Sequence, residues 1–458
     1  MDILREDLQY QTMHHCLSRR SAPRACNRLR HTWTPGGPPG YRIALLTSIA
    51  VCMVRAPALV AQQPLTLDAA LREAHSANAS LPVAALGINL ARSEVHELRA
   101  GRWPSLFVEG GVFAGAPLDY TTSQGQLQLV GVDPVYTGGL RRANLNAARF
   151  HVDAAGAGYR MAEKDVDLAV RLRFSELLRA DEEITIRQQG IARLRTYLTE
   201  VQNRKAAGQP VGSDVLTTQV RLGTEGAVLA DAEQTRDEAR LQLNDLLGRD
   251  PASPLVLEPL PAPAPSAAPS GEPWLNSPEV RAAAANRGAA EAGIAATRAE
   301  RRPQLALSAT LGVLPVFADS DAGTGINSGS GFGGMVMLSM SWPFWDGGVY
   351  RARLDRAQIL ATQARDSEAV VRRQSRLAWE LASAQLTRLY EQVQSWARNV
   401  PLARDAYLQT ESIYNGGAAT ALEVLDAYAA WITVNDSYAD AVLRYRQAEA
   451  NYLRWGTP

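Results

Sequence analysis

The stretch PVYTGGLRRANLNAAR, residues 134–149, returns as PFWDGGVYRARLDRAQ at residues 343–358, and that recurrence decides the architecture of the chain. Pro134, Gly138 and Gly139 reappear as Pro343, Gly347 and Gly348, an offset of 209 residues. The same offset carries AAGQPVGSDVLTTQ (206–219) onto NGGAATALEVLDAY (415–428), matching Gly208 to Gly417, Asp214 to Glu423, Val215 to Val424 and Leu216 to Leu425. Upstream the offset is 199, with RWPSLFV (102–108) aligned on RRPQLAL (301–307). One supersecondary unit has therefore been built twice. Between the copies lies PASPLVLEPLPAPAPSAAPSGEP (251–273), where dense Pro cannot continue a helix and favours extended, hydrated backbone. The chain divides into a first repeat over 62–250, a linker over 251–274 and a second repeat over 275–458, behind an N-terminal segment, 1–61.

Each copy reads as helix, two strands, very long helix, turn, helix. In the first, Leu67 to Ala100 is predicted helical and is closed by Gly101 and Pro104. Residues 139–206 then run without Pro, about 100 Å of helix at the usual rise. Gly208, Pro210 and Gly212 stop it, and 214–248 returns. The second long helix, 348–414, contains Pro401, which is expected to kink it. Helices of this length need partners, so a packed bundle or coiled coil is implied. The stripe Leu216, Val220, Gly223, Ala227 and Ala230, stepping by four and three, is read as the coiled-coil seam. An ordinary amphipathic core helix is the plainer alternative.

The strands alternate. Val336, Leu338, Met340, Trp342 and Phe344 interleave with Met337, Ser339 and Ser341 over 336–344, and Leu305, Leu307, Leu311 and Val313 alternate with small or polar residues over 305–313. Copy one repeats this more weakly at Leu127 and Leu129. Such a pattern fits either a half-buried soluble sheet or a barrel wall between lipid and water. The hairpin tips, PLDYTTSQG (117–125) and DSDAGTGINSGSGFGG (319–334), are polar and Gly-rich. Four strands cannot close a membrane barrel, which needs about eight, and an open edge cannot face lipid. If these strands span a membrane, several chains must share one barrel.

Composition excludes other classes. Lys and Arg number 47 against 47 Asp and Glu, so nothing points to nucleic acid. Ile43 to Val54 is an apolar run followed by APALVA, too short to span a bilayer but suited to a secretory signal cleaved after Ala61 or Ala58. Cys16, Cys26 and Cys52 all precede that point, which removes thiolate zinc sites, disulfides and Cys nucleophiles from the remainder. His75, His96 and His151 lack metal-ligand spacing, and GSGFGG (329–334) reads as an external loop rather than a phosphate cradle. No cofactor, metal or catalytic residue is expected, and the chain is read as non-enzymatic.

LTLDAALREAHSANAS (65–80), the corners PVYTGG and PFWDGG, and the turns leading into SDVL and LEVLDA come in an order and spacing that resemble the TolC family of outer-membrane efflux proteins, over roughly 65–457. The resemblance implies a mixed α+β, mostly helical fold: a long antiparallel helical coiled-coil barrel bearing a twelve-stranded transmembrane β-barrel, shared by a homotrimer at four strands per chain. It implies a bacterial outer-membrane channel reaching into the periplasm and serving tripartite efflux or type I secretion, with outer-membrane lipid around it and a periplasmic adaptor and inner-membrane pump as partners. Tyr414, Glu423 and Asp426 match the family's periplasmic constriction, and Gly208 and Gly417 match its adaptor-docking tips. Physical chemistry offers a reading beside each. A ring of carboxylates around a symmetry axis attracts cations, whereas one acid at a helix start is explained by the helix dipole. The glycines are equally suited to ending helices in the left-handed region. Asp214 reads as a first-turn acid, and Ala419 departs from the family by standing where a basic residue is expected. Trp103, Tyr136, Trp342, Phe344 and Trp345 cluster near strand ends like an interfacial girdle. That favours the channel over the alternative, a periplasmic coiled-coil adaptor or scaffold.

Overall fold

A computed structural model describes residues 64–115, 122–208, 212–265, 271–318 and 327–456. The expected signal segment, 117–121 of the first hairpin tip and 319–326 of the second lie outside these residues. The first copy comprises α1 (Leu67–Ala77), α2 (Ser80–Ala100), β1 (Ser105–Gly115), β2 (Thr122–Tyr136), α3 (Leu140–Ala206) and α4 (Gly212–Leu246). The second comprises a 3-10 turn (Pro273–Asn276), α5 (Pro278–Glu300), β3 (Gln304–Ala318), β4 (Asn327–Ser341), α6 (Val349–Asn415) and α7 (Ala421–Gly456).

Local chemistry sets these boundaries. Thr66 caps α1 through a 3.1 Å bond from the Ala69 amide, and Ser277 with Pro278 opens α5. The helix expected over 67–100 is broken at Asn78, whose extended backbone leaves its side chain free to accept from the Ser80 amide at 2.9 Å. At each strand-to-helix corner two successive glycines hold positive φ, Gly138 and Gly139 in one copy, Gly347 and Gly348 in the other. α3 and α6 are both 67 residues long, and α6 runs through Pro401 without a break.

Helices α2 and α4 pack along α3, and α5 and α7 along α6, so two shorter helices match each long one. The coiled-coil stripe of α4 is not the one expected. Leu216 and Val220 face outward, at 65% and 71% exposed, while Val215, Thr218, Ala232, Ala239 and Leu243 are buried. Within one chain α3 covers the stripe through 215, 218, 232 and 239, and the expected stripe is left on the outside of this helix pair.

The copies join where α3 meets α5 and α7, and where β2 meets β3. The Pro-rich connection is strapped down over part of its length. Leu65 donates to the Val256 carbonyl at 2.8 Å, and the Tyr445 hydroxyl donates to the Ala264 carbonyl at 2.6 Å. Leu257 is buried in a core with Phe174, Leu243 and Leu247. The four strands form one antiparallel sheet in the order β1-β2-β3-β4. GSGFGG, expected as a loop, is part of β4 and pairs with β3, since glycine-rich backbone completes a ladder where a partner strand is in register. Conversely, β4 ends at Ser341, short of the expected Phe344.

Candidate functional site

Across the sheet, Val108 pairs with Leu129, Leu129 with Leu311, and Leu307 with Leu338. Directly paired residues share a face, so one side of all four strands is apolar apart from Asp133, which pairs with Leu307 near the helical end of the sheet. Leu106, Val108, Val112, Leu127, Leu338 and Met340 are each at least 60% exposed there. The opposite face holds Glu109, Gln126, Gln128, Ser308, Thr310 and Ser339, interspersed with Phe107, Val130, Val132, Met335 and Met337, and Gln128 donates to Glu109 at 3.1 Å. Each large apolar side chain left in water forgoes about 1.5–3 kcal/mol of burial. An apolar patch this extensive marks a surface that another apolar medium covers. Among the described residues no helix is long and apolar enough to cross a membrane.

At the far ends of the long helices, α6 stops in a Schellman motif. Gly417 takes φ +80°, its amide donates to the Tyr414 carbonyl at 2.9 Å, and the Ala418 amide donates to the Ile413 carbonyl at 3.1 Å. Gly208 ends α3 with φ +82°, and its amide donates to the Lys205 carbonyl at 3.0 Å. α7 opens with a capping box. The Thr420 amide donates to the Glu423 carboxylate at 2.8 Å and the Glu423 amide to the Thr420 hydroxyl at 3.3 Å. The Arg204 guanidinium lies 4.6 Å above the Tyr414 ring, which sets the end of α3 beside the end of α6.

A family model described as outer membrane efflux protein matches residues 70–249 and 273–453, one match per copy. The chain belongs to the outer membrane efflux protein family. Within it, Protein CyaE of Bordetella pertussis is 28% identical over 239 residues, covering 50% of this chain and 49% of that protein. The chain thus spans about half the length of that curated relative. The fold is that of solved outer-membrane channels. The open state of the Neisseria gonorrhoeae MtrE channel gives a TM-score of 0.71 at 20% identity, covering 85% of this chain and 88% of that one. VceC of Vibrio cholerae gives 0.71 at 18%, covering 84% and 95%.

In this efflux-family chain the expected site residues gather at one end but do not point alike. Tyr414 is buried, 7% exposed, in a cluster with Leu194, Val424, Leu425 and Tyr428, and its ring centroid lies 5.9 Å from that of Tyr197. Glu423 and Asp426 are exposed; Glu423 is engaged in the capping box, and Asp426 makes no ion pair among the described residues. Gly208 and Gly417 occupy the two turns, and a side chain at either would meet nothing within 4 Å.

Sequence reasoning missed how α7 is held against α3. A Cβ on Gly190 would sit 2.3 Å from the Tyr428 hydroxyl, so the glycine is a notch that the tyrosine fills. Burial pushes the Tyr428 phenol up to about 12, with the Glu225 charge adding to the effect. One turn away, Arg187 of α3 meets Asp436 of α7, Glu225 of α4 at 3.3 Å and Glu183 at 3.5 Å. Burial opposes the Arg187 charge, but Asp436, Glu225 and Glu183 together outweigh it and raise its pKa. Arg179 extends the network to Asp440 at 2.9 Å. The available signal was a lone Gly deep inside a long helix, which often marks a close approach.

Proposed function

We propose that this chain is the duct subunit of an efflux or type I secretion machine, with three copies enclosing one passage across the outer membrane and periplasm. The observation that carries this reading is the broad, exposed apolar face of a sheet that leads directly into helices 67 residues long. Four strands per chain need further copies to remove the open edges. Lipid then covers the apolar face, and the polar face lines the lumen. The energy for transport comes from an inner-membrane pump, reached through a periplasmic adaptor that docks at the turns around Gly208 and Gly417. Glu423 and Asp426, exposed at that end, repeat around the axis as a carboxylate ring that favours cations, while Tyr414 packs behind them.

The test is conductance. Protein extracted from the outer membrane and fused to a planar bilayer is expected to give discrete, cation-preferring channels. Loss of that preference in Glu423→Gln/Asp426→Asn supports the ring. Unchanged selectivity returns those acids to helix capping, and a soluble protein without conductance removes the duct.

A further inference from the structure

Where α3, α6 and α7 meet, the helices leave a partly enclosed cavity of about 210 Å³ for which the duct has no use. A single water needs about 10–15 Å³ of such space, so a ring-bearing molecule fits. Four phenols line it: Tyr197 from α3, Tyr407 and Tyr414 from α6, and Tyr428 from α7. Leu194 and Leu425 complete its apolar wall. The ring centroids of Tyr197 and Tyr414 lie 5.9 Å apart, and those of Tyr407 and Tyr428 lie 5.6 Å apart. Burial raises the Tyr197 and Tyr407 phenols above their ordinary pKa, so these walls stay neutral. A neutral ring presents a negative face to whatever stacks on it.

The charged groups around this cavity are Glu200, Glu411 and Arg193, an excess of one negative charge. Each carboxylate already accepts from one neighbour. Arg204 donates to Glu200 at 2.6 Å, and the Tyr407 hydroxyl donates to Glu411 at 2.8 Å. An ionised carboxylate accepts about four hydrogen bonds, so both retain capacity. The chain itself shows that these rings take flat cations. The Arg204 guanidinium lies 4.6 Å from the Tyr414 centroid, and that of Arg193 lies 5.6 Å from Tyr407 and 5.1 Å from Trp431.

We propose that this cavity binds a small, flat aromatic cation, such as an amidinium, whose charged end reaches the carboxylates of Glu200 and Glu411 while its ring stacks among the tyrosines. The site goes beyond the passage described above and is separate from Glu423 and Asp426, which are exposed and do not line it. The chemistry separates them as well. A bare carboxylate pair suits a compact metal ion, whereas Mg²⁺ dehydrates reluctantly and gains little from an aromatic wall. A delocalised cation is weakly hydrated and gains from stacking. An arginine of a protein partner carries the same flat charge, but its aliphatic stem leaves the ring faces without a stacking partner. Because the lining comes from three helices, a bound cation favours the packing of α7 against α3 and α6 over arrangements in which they part.

Titration of the detergent-extracted, full-length protein with benzamidinium tests the site by calorimetry. Saturable binding is expected, with neutral benzamide weaker by about tenfold or more, because hydrogen bonds to charged groups are the stronger ones. Hydrogen exchange in α7 around Tyr428 is expected to slow when benzamidinium is bound. Glu200→Gln and Glu411→Gln keep an acceptor for Arg204 and Tyr407, and each is expected to weaken binding by about tenfold at an unchanged melting temperature. Tyr197→Phe keeps the ring and is expected to keep the affinity, whereas Tyr197→Leu loses it. Glu423→Gln/Asp426→Asn is expected to leave binding unchanged. Absence of binding, equal binding of benzamide, displacement by Mg²⁺ at equal concentration, or loss of binding only in Glu423→Gln/Asp426→Asn overturns the site. Tighter binding of N-acetylarginine amide than of benzamidinium overturns the small-molecule assignment in favour of a partner's arginine. None of these readings requires a conducting channel. Binding without conductance removes the duct and keeps the site, and conductance without binding does the reverse.

Discussion

At Glu423 the carboxylate accepts from the Thr420 amide while remaining exposed, so substitutions can separate its structural bond from its charge. Gln keeps the reciprocal geometry of the capping box, whereas Ala loses it at a cost of about 1 kcal/mol. Glu423→Gln is expected to leave amide exchange at 421–425 unchanged and to lower cation preference. Glu423→Ala is expected to accelerate that exchange as well. Equal exchange in both variants would show that the capping bond contributes nothing. Gly190 allows a second separation. Gly190→Ala forces its methyl onto the Tyr428 hydroxyl, and overpacking of this kind costs about 1–3 kcal/mol. Because the crowded atom is that oxygen, Tyr428→Phe in the same chain is expected to recover most of the loss in thermal denaturation. Two additive losses would contradict the notch.

Among the elements, α7 depends on α6 for its coiled coil and on α3 for its position. Arg187 sits at that second contact, 13% exposed, facing carboxylates from α3, α4 and α7. Removing one partner from a largely buried ionic cluster leaves uncompensated charge and costs about 3 kcal/mol. Arg187→Ala is therefore expected to speed hydrogen exchange in α7 around Asp436 while sparing α5. Asp440, half exposed, is the control: Asp440→Asn is expected to change stability by less than about 0.5 kcal/mol. Loss of protection spread evenly over the chain would mean that α7 has no separate contact to lose. The coiled coil itself was legible from spacing, but which stripe α3 covers was not. On α4 both the outward stripe at 216 and 220 and the inward stripe at 215 and 218 repeat every seven residues, and only the position of α3 distinguishes them.

For the whole molecule, the decisive contrast is between the two faces of the sheet. Leu338 and Ser339 are adjacent in β4 but point to opposite media in the proposed duct. An Arg on the lipid face near the bilayer midplane costs about 2–4 kcal/mol, while lumen substitutions tune selectivity. Leu338 lies three residues from the end of β4, towards the aromatic girdle, so Leu338→Arg is expected to destabilise folding into lipid vesicles in a urea titration by less than the midplane amount. Ser339→Arg is expected to fold normally and to alter single-channel conductance. Reversal of the two effects would invert the barrel.

The sequence by itself determined the duplicated unit, the order of its elements, the lengths of both long helices and the apolar face of the strands. Each of these is a local or periodic property: Pro and Gly break helices wherever they fall, and side-chain alternation follows from the pleat. The tertiary structure decided what depends on neighbours distant in the chain. Gly190 reads as a helix weakness until Tyr428 fills it, and Asn78 breaks a helix because its side chain reaches the Ser80 amide and donates to the Leu246 carbonyl. Tyr414 occupies a core rather than an open surface because α3 brings Tyr197 and Arg204 against it. A pattern of spacing specifies which residues share a face; which partner that face meets is set only when the chain has folded.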